Sequence, residues 1–249
     1  MKNERYEQLL YQKIRVGTKE QLFDSVRARL GNGGRVSTVN PIILAEAMKN
    51  AELFEALRAS LNIPDGVGIK KALKKRGAHT EVLPGVELCE RLMPFVNSFA
   101  IIGAKPGVAV RAAAYLEGKG GSAKCIFTRD GFSYDKSELK RLLSALAPEL
   151  VLVCLGSPKQ ELLIKELYPS SEKSLFIGLG GSADVYAGNI KRAPAVFRKM
   201  EIEWLWRMLR EPKRLRKLPQ ICDFIQLSGI EKRERCQKAE LNIPKSSRK

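Results

Sequence analysis

The chain has 249 residues, is 44% hydrophobic and 29% charged, and carries a net charge of +17. That length buries a substantial core, as one large domain or as one domain plus an appendage. No run reaches the roughly 18 apolar residues of a membrane span, and the opening Met-Lys-Asn-Glu-Arg-Tyr has no apolar segment behind it, so no signal peptide is expected.

In chain order, apolar runs alternate with helical patterns, the signature of βα units and a parallel sheet. Gly34–Val39 reads as a strand, and a single helix is expected from Pro41 to about Ala59, with proline in its first turn. Ser60–Pro64 leads into Asp65-Gly-Val-Gly68 and a helix over Ile69–Arg76; no clear strand precedes Asp65. Phe99–Ile102 is a strand, Gly103-Ala-Lys-Pro-Gly107 a turn, and Val108–Glu117 a helix. Then come strand Ser122–Phe127, helix Ser137–Ala147, strand Leu150–Leu155, loop Gly156-Ser-Pro-Lys-Gln160, helix Glu161–Leu167 and strand Leu175–Gly178. The pattern predicts an α/β fold: a Rossmann-like, mostly parallel sheet with flanking helices, plus a basic helical C-terminal appendage. The core is expected over 1–195 and the appendage over 196–249.

Charge is concentrated in that appendage. Lys191 to Lys249 holds 17 Lys and Arg against 7 Asp and Glu, so ten of the seventeen excess charges lie in the last quarter of the chain. Such an excess implies an anionic partner or a solvated tail. Phe197, Met200, Trp204 and Met208 share one face of a helical pattern, with Arg198, Lys199, Arg207 and Arg210 around it, as in a helix lying on an anionic bilayer.

Four glycine-rich or polar clusters follow expected strands: Thr38/Asn40, Gly103–Gly107, Gly156–Gln160 and Gly178–Asp184. Ligands in open α/β sheets bind beyond the carboxyl ends of the strands, where helix N-termini offer N–H groups to phosphate. These loops, with Lys105, Gly156, Gly180 and Asp184 as named candidates, therefore predict a nucleotide or diphosphate site. Plainer readings exist as well: Asp65 as an N-cap or turn residue, Thr38 and Asn40 as a simple helix cap before Pro41, and Gln160 as a first-turn polar residue. Gly178-Leu-Gly180-Gly-Ser-Ala183 matches a relaxed dinucleotide fingerprint, but no long helix or ribose-binding acid follows it. His79 is the only histidine, the five cysteines form no C-x-x-C pair, and there is no Asp-x-Asp, so neither a metal site nor a cofactor is expected.

Taken as an ordered set, the clusters resemble the WecG/TagA/CpsF glycosyltransferase family. The matching stretches are Thr38-Val-Asn40-Pro, Pro64-Asp65-Gly-Val-Gly68, Pro84-Gly-Val-Glu-Leu88, Gly103-Ala-Lys-Pro-Gly107, Gly156-Ser-Pro-Lys-Gln-Glu161, Gly180-Gly-Ser-Ala-Asp184, Arg192-Ala-Pro194 and Glu203-Trp-Leu-Trp-Arg207. The resemblance implies inverting, metal-independent transfer of an N-acetylmannosamine-type sugar from a UDP donor to N-acetylglucosamine on undecaprenyl diphosphate, feeding a cell-surface polymer. It makes Asp65 the candidate base and places Thr38, Asn40 and Gln160 around the sugar or nucleotide. It assigns Arg207 and Arg214 to an appendage that closes over the site at an anionic membrane surface, on the cytoplasmic face. Homo-oligomerisation stays open, as does the choice between N-acetylmannosamine and its uronic acid. Two other classes were weighed: a nucleic-acid-binding protein using the basic tail, for which no recognised motif is present, and an NAD-dependent oxidoreductase.

Overall fold

The computed structural model describes residues 2–119, 121–191, 193, 194, 197, 206 and 216–229. Six strands form one all-parallel sheet: β1 (Gly34–Val39), β2 (Leu61–Pro64), β3 (Ser98–Gly103), β4 (Lys124–Arg129), β5 (Leu150–Cys154) and β6 (Leu175–Gly178), in the order β2-β1-β6-β5-β3-β4. The interior strand β5, Leu-Val-Leu-Val-Cys, is buried at every position, as a strand covered on both faces must be. β4 lies at one edge and leaves Ile126 partly exposed.

Two segments precede the sheet that the sequence reading left unassigned. α1 (Lys2–Glu7) runs into a π-helical stretch (Gln8–Lys13), and α2 (Lys19–Arg27) starts at a Thr18/Gln21 capping box. The backbone at Ile14 then bridges to Asn62, and the Arg15 amide donates to Asn62 O at 2.9 Å, so the segment covers the free edge of β2.

The single helix expected after β1 is two: α3 (Pro41–Ala47) and α4 (Ala51–Arg58). Asn50 makes the break, because its side chain accepts from Leu53 N at 3.0 Å and caps α4 instead of continuing α3. α5 (Val67–Lys75), α6 (Gly85–Leu92), α7 (Val108–Glu117), α8 (Lys136–Leu146), α9 (Lys159–Leu167) and the short α10 (Ser182–Tyr186) follow.

Alternate strand residues feed the two faces, the period-2 consequence of the pleat. Ile101, Leu152 and Ile177 pack with α2, α6, α7 and α10, whereas Ile102, Val151 and Phe176 pack with α8 and α9. α3, α4 and α5 build a third apolar cluster with Val39, and α4 packs against α9. The chain therefore leaves β1 toward one face and β6 toward the other, although the two strands are neighbours. Their carboxyl ends therefore form the switch point of the sheet, the position of the ligand-binding crevice in folds of this kind.

The helix Leu218–Ser228, from the expected appendage, docks on the α3/α5 side. Phe224 is 2% exposed and meets the Tyr6 ring edge-on at 6.3 Å, Lys49 pairs with Asp223 at 2.5 Å, and Lys75 Nζ donates to the Ser228 carbonyl at 2.6 Å. The last contact satisfies one of the helix's orphan C-terminal carbonyls.

Candidate active site

β1 and β2 end together. Thr38 pairs with Ile63 and Val39 with Pro64, so Asn40 and Asp65 leave the sheet side by side. The Asp65 amide donates to Val39 O at 2.8 Å, which fixes the start of its loop, and Asp65 itself is half-buried. Gly66 follows at φ +93° and begins α5, a turn that a side chain would strain. Asn40 caps α3, accepting from Ile42 N at 3.0 Å and Ile43 N at 3.1 Å. Its cap reading therefore holds.

Thr38 is buried and donates its hydroxyl to Gly178 O at 3.2 Å, tying β1 to β6. Beside it, Gly85 opens α6 so closely that a Cβ would stand 3.3 Å from Thr38 Oγ1 and 3.1 Å from Leu179 Cδ2. The Leu83 amide donates to Pro64 O at 3.0 Å, which draws this segment to the end of β2. Thr38, Asp65, Gly85 and the loop after β6 thus gather at the carboxyl ends of β1, β2 and β6, the position of that crevice.

Gln160 is 2% exposed, and its amide joins the loops after β5 and β6. Its Oε1 accepts from Gly180 N at 2.8 Å and from Gly156 N at 3.2 Å, while Nε2 donates to Glu161 Oε1 at 2.8 Å. A Cβ on Gly178 would come within 2.9 Å of Gln160 Nε2, so glycine there makes room for the clamp. Because Gln160 already uses the Gly156 and Gly180 amides, those two N–H groups are not open to a phosphate.

The other expected residues lie farther out. Gly103 presses on β5, where a Cβ would be 2.5 Å from the Cys154 carbonyl, and Gly107 begins α7. Lys105 is exposed on this turn, three strand spacings from β1, or about 15 Å. Asp184 accepts from Asn189 Nδ2 at 3.0 Å, and Asn189 in turn accepts from Arg111 at 3.0 Å. Arg207 and Arg214 lie outside the described residues, as do Met200, Trp204 and Met208 of the expected interfacial helix. Burial pushes the Cys154 thiol up to about 12, so this cysteine near Asp184 stays protonated and is no nucleophile.

The model of the glycosyl transferase WecG/TagA/CpsF family matches residues 7–238. The chain belongs to that family. Within it, the chain is 29% identical over 192 residues, 75% of either chain, to a protein of Bacillus subtilis strain 168. It is 30% identical over 210 residues, 82% of this chain and 80% of the relative, to a protein of Bacillus spizizenii strain W23. Both relatives are named N-acetylglucosaminyldiphosphoundecaprenol N-acetyl-beta-D-mannosaminyltransferase. Neither of the other classes weighed from sequence is favoured. The dinucleotide-like glycine turn runs into a five-residue helix, and its Gly180 amide is taken by Gln160.

Three side-chain relationships around this site are not legible in the sequence. Gly85 stands in the Pro84-Gly-Val-Glu-Leu88 stretch, and it is the close approach of α6 to Thr38. Glu161 opens a helix in the sequence pattern, and its signal there is the Gln-Glu pair after a strand-end loop. Lys217 carries its positive charge near enough to Glu161 to favour the charged form of that carboxyl, as the smallest of the influences on it.

Proposed function

We propose that this protein is an inverting glycosyltransferase that moves an N-acetylmannosamine-type sugar from a UDP donor to N-acetylglucosaminyl-diphospho-undecaprenol, in the synthesis of a cell-surface polymer. The observation that carries the proposal is the convergence of Thr38, Asp65 and Gly85 on the β1/β6 crevice, in a chain of this family whose relatives bear that activity in their names. In this reading Asp65 accepts the proton of the acceptor hydroxyl as its oxygen bonds to the anomeric carbon of the donor. The bond from that carbon to the diphosphate oxygen breaks, its electron pair leaves with UDP, and the configuration inverts. The departing diphosphate needs positive charge, for which Arg207 and Arg214 are the candidates, with exposed Lys217 alongside. Asn40 orients the sugar, and the loops at Lys105 and Asp184 border the nucleotide.

A lipid-linked acceptor brings the enzyme to the bilayer. Among the described residues no helix is long and apolar enough to cross a membrane. The division into a catalytic unit over 1–195 and a basic unit over 196–249 then acquires a function: the second seats on anionic lipid at the cytoplasmic face and completes the site. The test is a screen of UDP-sugars for UDP release with a short-chain lipid-diphosphate acceptor. Release that needs both UDP-N-acetylmannosamine (or its uronic acid) and the acceptor is the expected result. Salt-sensitive binding to generic DNA without any sugar turnover would replace this reading.

A further inference from the structure

Gln160 and Glu161 open α9 and are both almost fully enclosed, 2% and 3% exposed. The geometry demands one orientation of the Gln160 amide. Its oxygen receives N–H groups from two separate loops, the one after β5 through Gly156 and the one after β6 through Gly180. Turned by half a revolution, the amide would aim its own hydrogens at those donors and lose both bonds. What opposes the turn is Glu161, whose Oε1 accepts from Gln160 Nε2 at 2.8 Å. A carboxyl oxygen accepts there whether or not the group carries a proton.

Glu161 is costly in this position. Burial raises its pKa above the usual carboxylate range, only partly offset by Gln160, Ser157 and Lys217. Its Oε2 and the neighbouring Ser157 hydroxyl are buried with no well-formed hydrogen bond among the described residues. An apolar side chain would remove that cost, but it would also release the Gln160 amide.

We propose that Glu161 is a positioning residue of the active site: it locks the Gln160 amide so that one carbonyl oxygen clamps the loops after β5 and β6 together beside Thr38. Only the kinetic arm of the test rests on the transferase reading. Amide hydrogen exchange at Gly156 and Gly180, followed by NMR, reads the clamp without any substrate. In Glu161→Met both glycine amides exchange about tenfold faster, the scale of one lost hydrogen bond, while Leu152 and Ile177 in the strands keep their protection. In Glu161→Gln, whose side-chain oxygen can accept at the same place, both glycines stay protected. The Gln160 Nε2 resonance nevertheless shifts, because its acceptor has changed from a carboxyl to an amide. Unchanged glycine exchange in Glu161→Met overturns the proposal. If that variant does not fold, an unmoved Gln160 Nε2 resonance in Glu161→Gln overturns it equally. In turnover assays the donor KM of Glu161→Met rises by on the order of tenfold to a hundredfold, as for a displaced binding element, with Glu161→Gln restoring it. A wild-type protein without UDP-sugar turnover would sink the transferase reading and leave the exchange test standing.

Discussion

The Asp65 amide is bonded to the Val39 carbonyl at 2.8 Å, so the backbone that presents the candidate base is anchored to the neighbouring strand independently of the carboxyl group. Asp65→Asn should therefore fold and melt like the wild type. Turnover should fall by roughly 10²–10⁴, the usual contribution of a positioned base. UDP release measured beside a thermal melt checks both halves, and near-wild-type turnover in the Asn variant would falsify the assignment.

Asn40 allows a separation of cap from catalysis. Asn40→Ala removes the acceptor of two α3 amides and should cost about 1 kcal/mol of stability. Asn40→Asp keeps that acceptor and places a negative charge at a helix N-terminus, so its stability should match the wild type. It has lost the amide donor, however, and turnover should drop. Denaturant titration of both variants with parallel UDP assays decides: an Asp variant of full activity reduces Asn40 to a cap.

Most of the frame was legible in the sequence. Strands β1 and β6 and helix α7 fall at the residues expected, because their apolar runs are bounded by glycine or proline punctuation. β2 was not clear, since Leu-Asn-Ile-Pro is short and its Asn62 is a buried polar residue held by the Lys13 and Leu57 carbonyls, partners that local pattern cannot reveal. Asn50 and Asn40 have the same chemistry, but only Asn40 was followed by a proline that announced a helix start. The candidate site is visible in the sequence as a set of loops and not as a geometry. Thr38 and Gln160 prove to be buried ties, and which amides Gln160 consumes depends on contacts across 20 residues of chain.

Stability should carry a pH signature from Glu161. Its folded pKa is raised by burial, so between the ordinary carboxylate range and that higher value the folded state keeps a proton that the unfolded state releases. The contribution of this group is full at acid pH and is lost as pH rises through the window. Half-buried Glu166, lowered mainly by its bond to Lys136, works in the opposite direction. The comparison is therefore wild type against Glu161→Gln, whose unfolding free energy should decline less from pH 4 upward. Parallel curves would show that Glu161 titrates normally.

Activity should survive an excess of chelator. The sequence has one histidine and no Asp-x-Asp, and among the described residues no three His, Cys, Asp or Glu side chains gather at metal-binding distance. In the proposed mechanism positive side chains neutralise the diphosphate. Turnover abolished by EDTA and restored by Mg²⁺ or Mn²⁺ would reverse this account of the leaving group.

The appendage needs finer tools than truncation. Cutting the chain after Pro194 removes the basic tail, but it also removes Phe224, which is buried against Tyr6 and the α3–α5 cluster. Phe224→Ala alone should cost about 3–5 kcal/mol, the usual penalty for emptying a buried aromatic site. A truncated protein that lost activity could therefore have lost its fold. Charge reversal at Lys213 and Lys217 avoids this; Lys217 is exposed, and each basic residue near the bilayer is worth about 1 kcal/mol of vesicle binding. Those variants should bind anionic vesicles more weakly and still turn over a water-soluble acceptor, apart from what Lys217 lends to the diphosphate. Arg214→Ala should do the reverse, binding vesicles almost normally while losing turnover even on the soluble acceptor. If Arg214→Ala keeps full soluble turnover, the arginine serves the membrane and not the diphosphate. The charge would then have to come from the core, where Lys105 is exposed on the turn after β3.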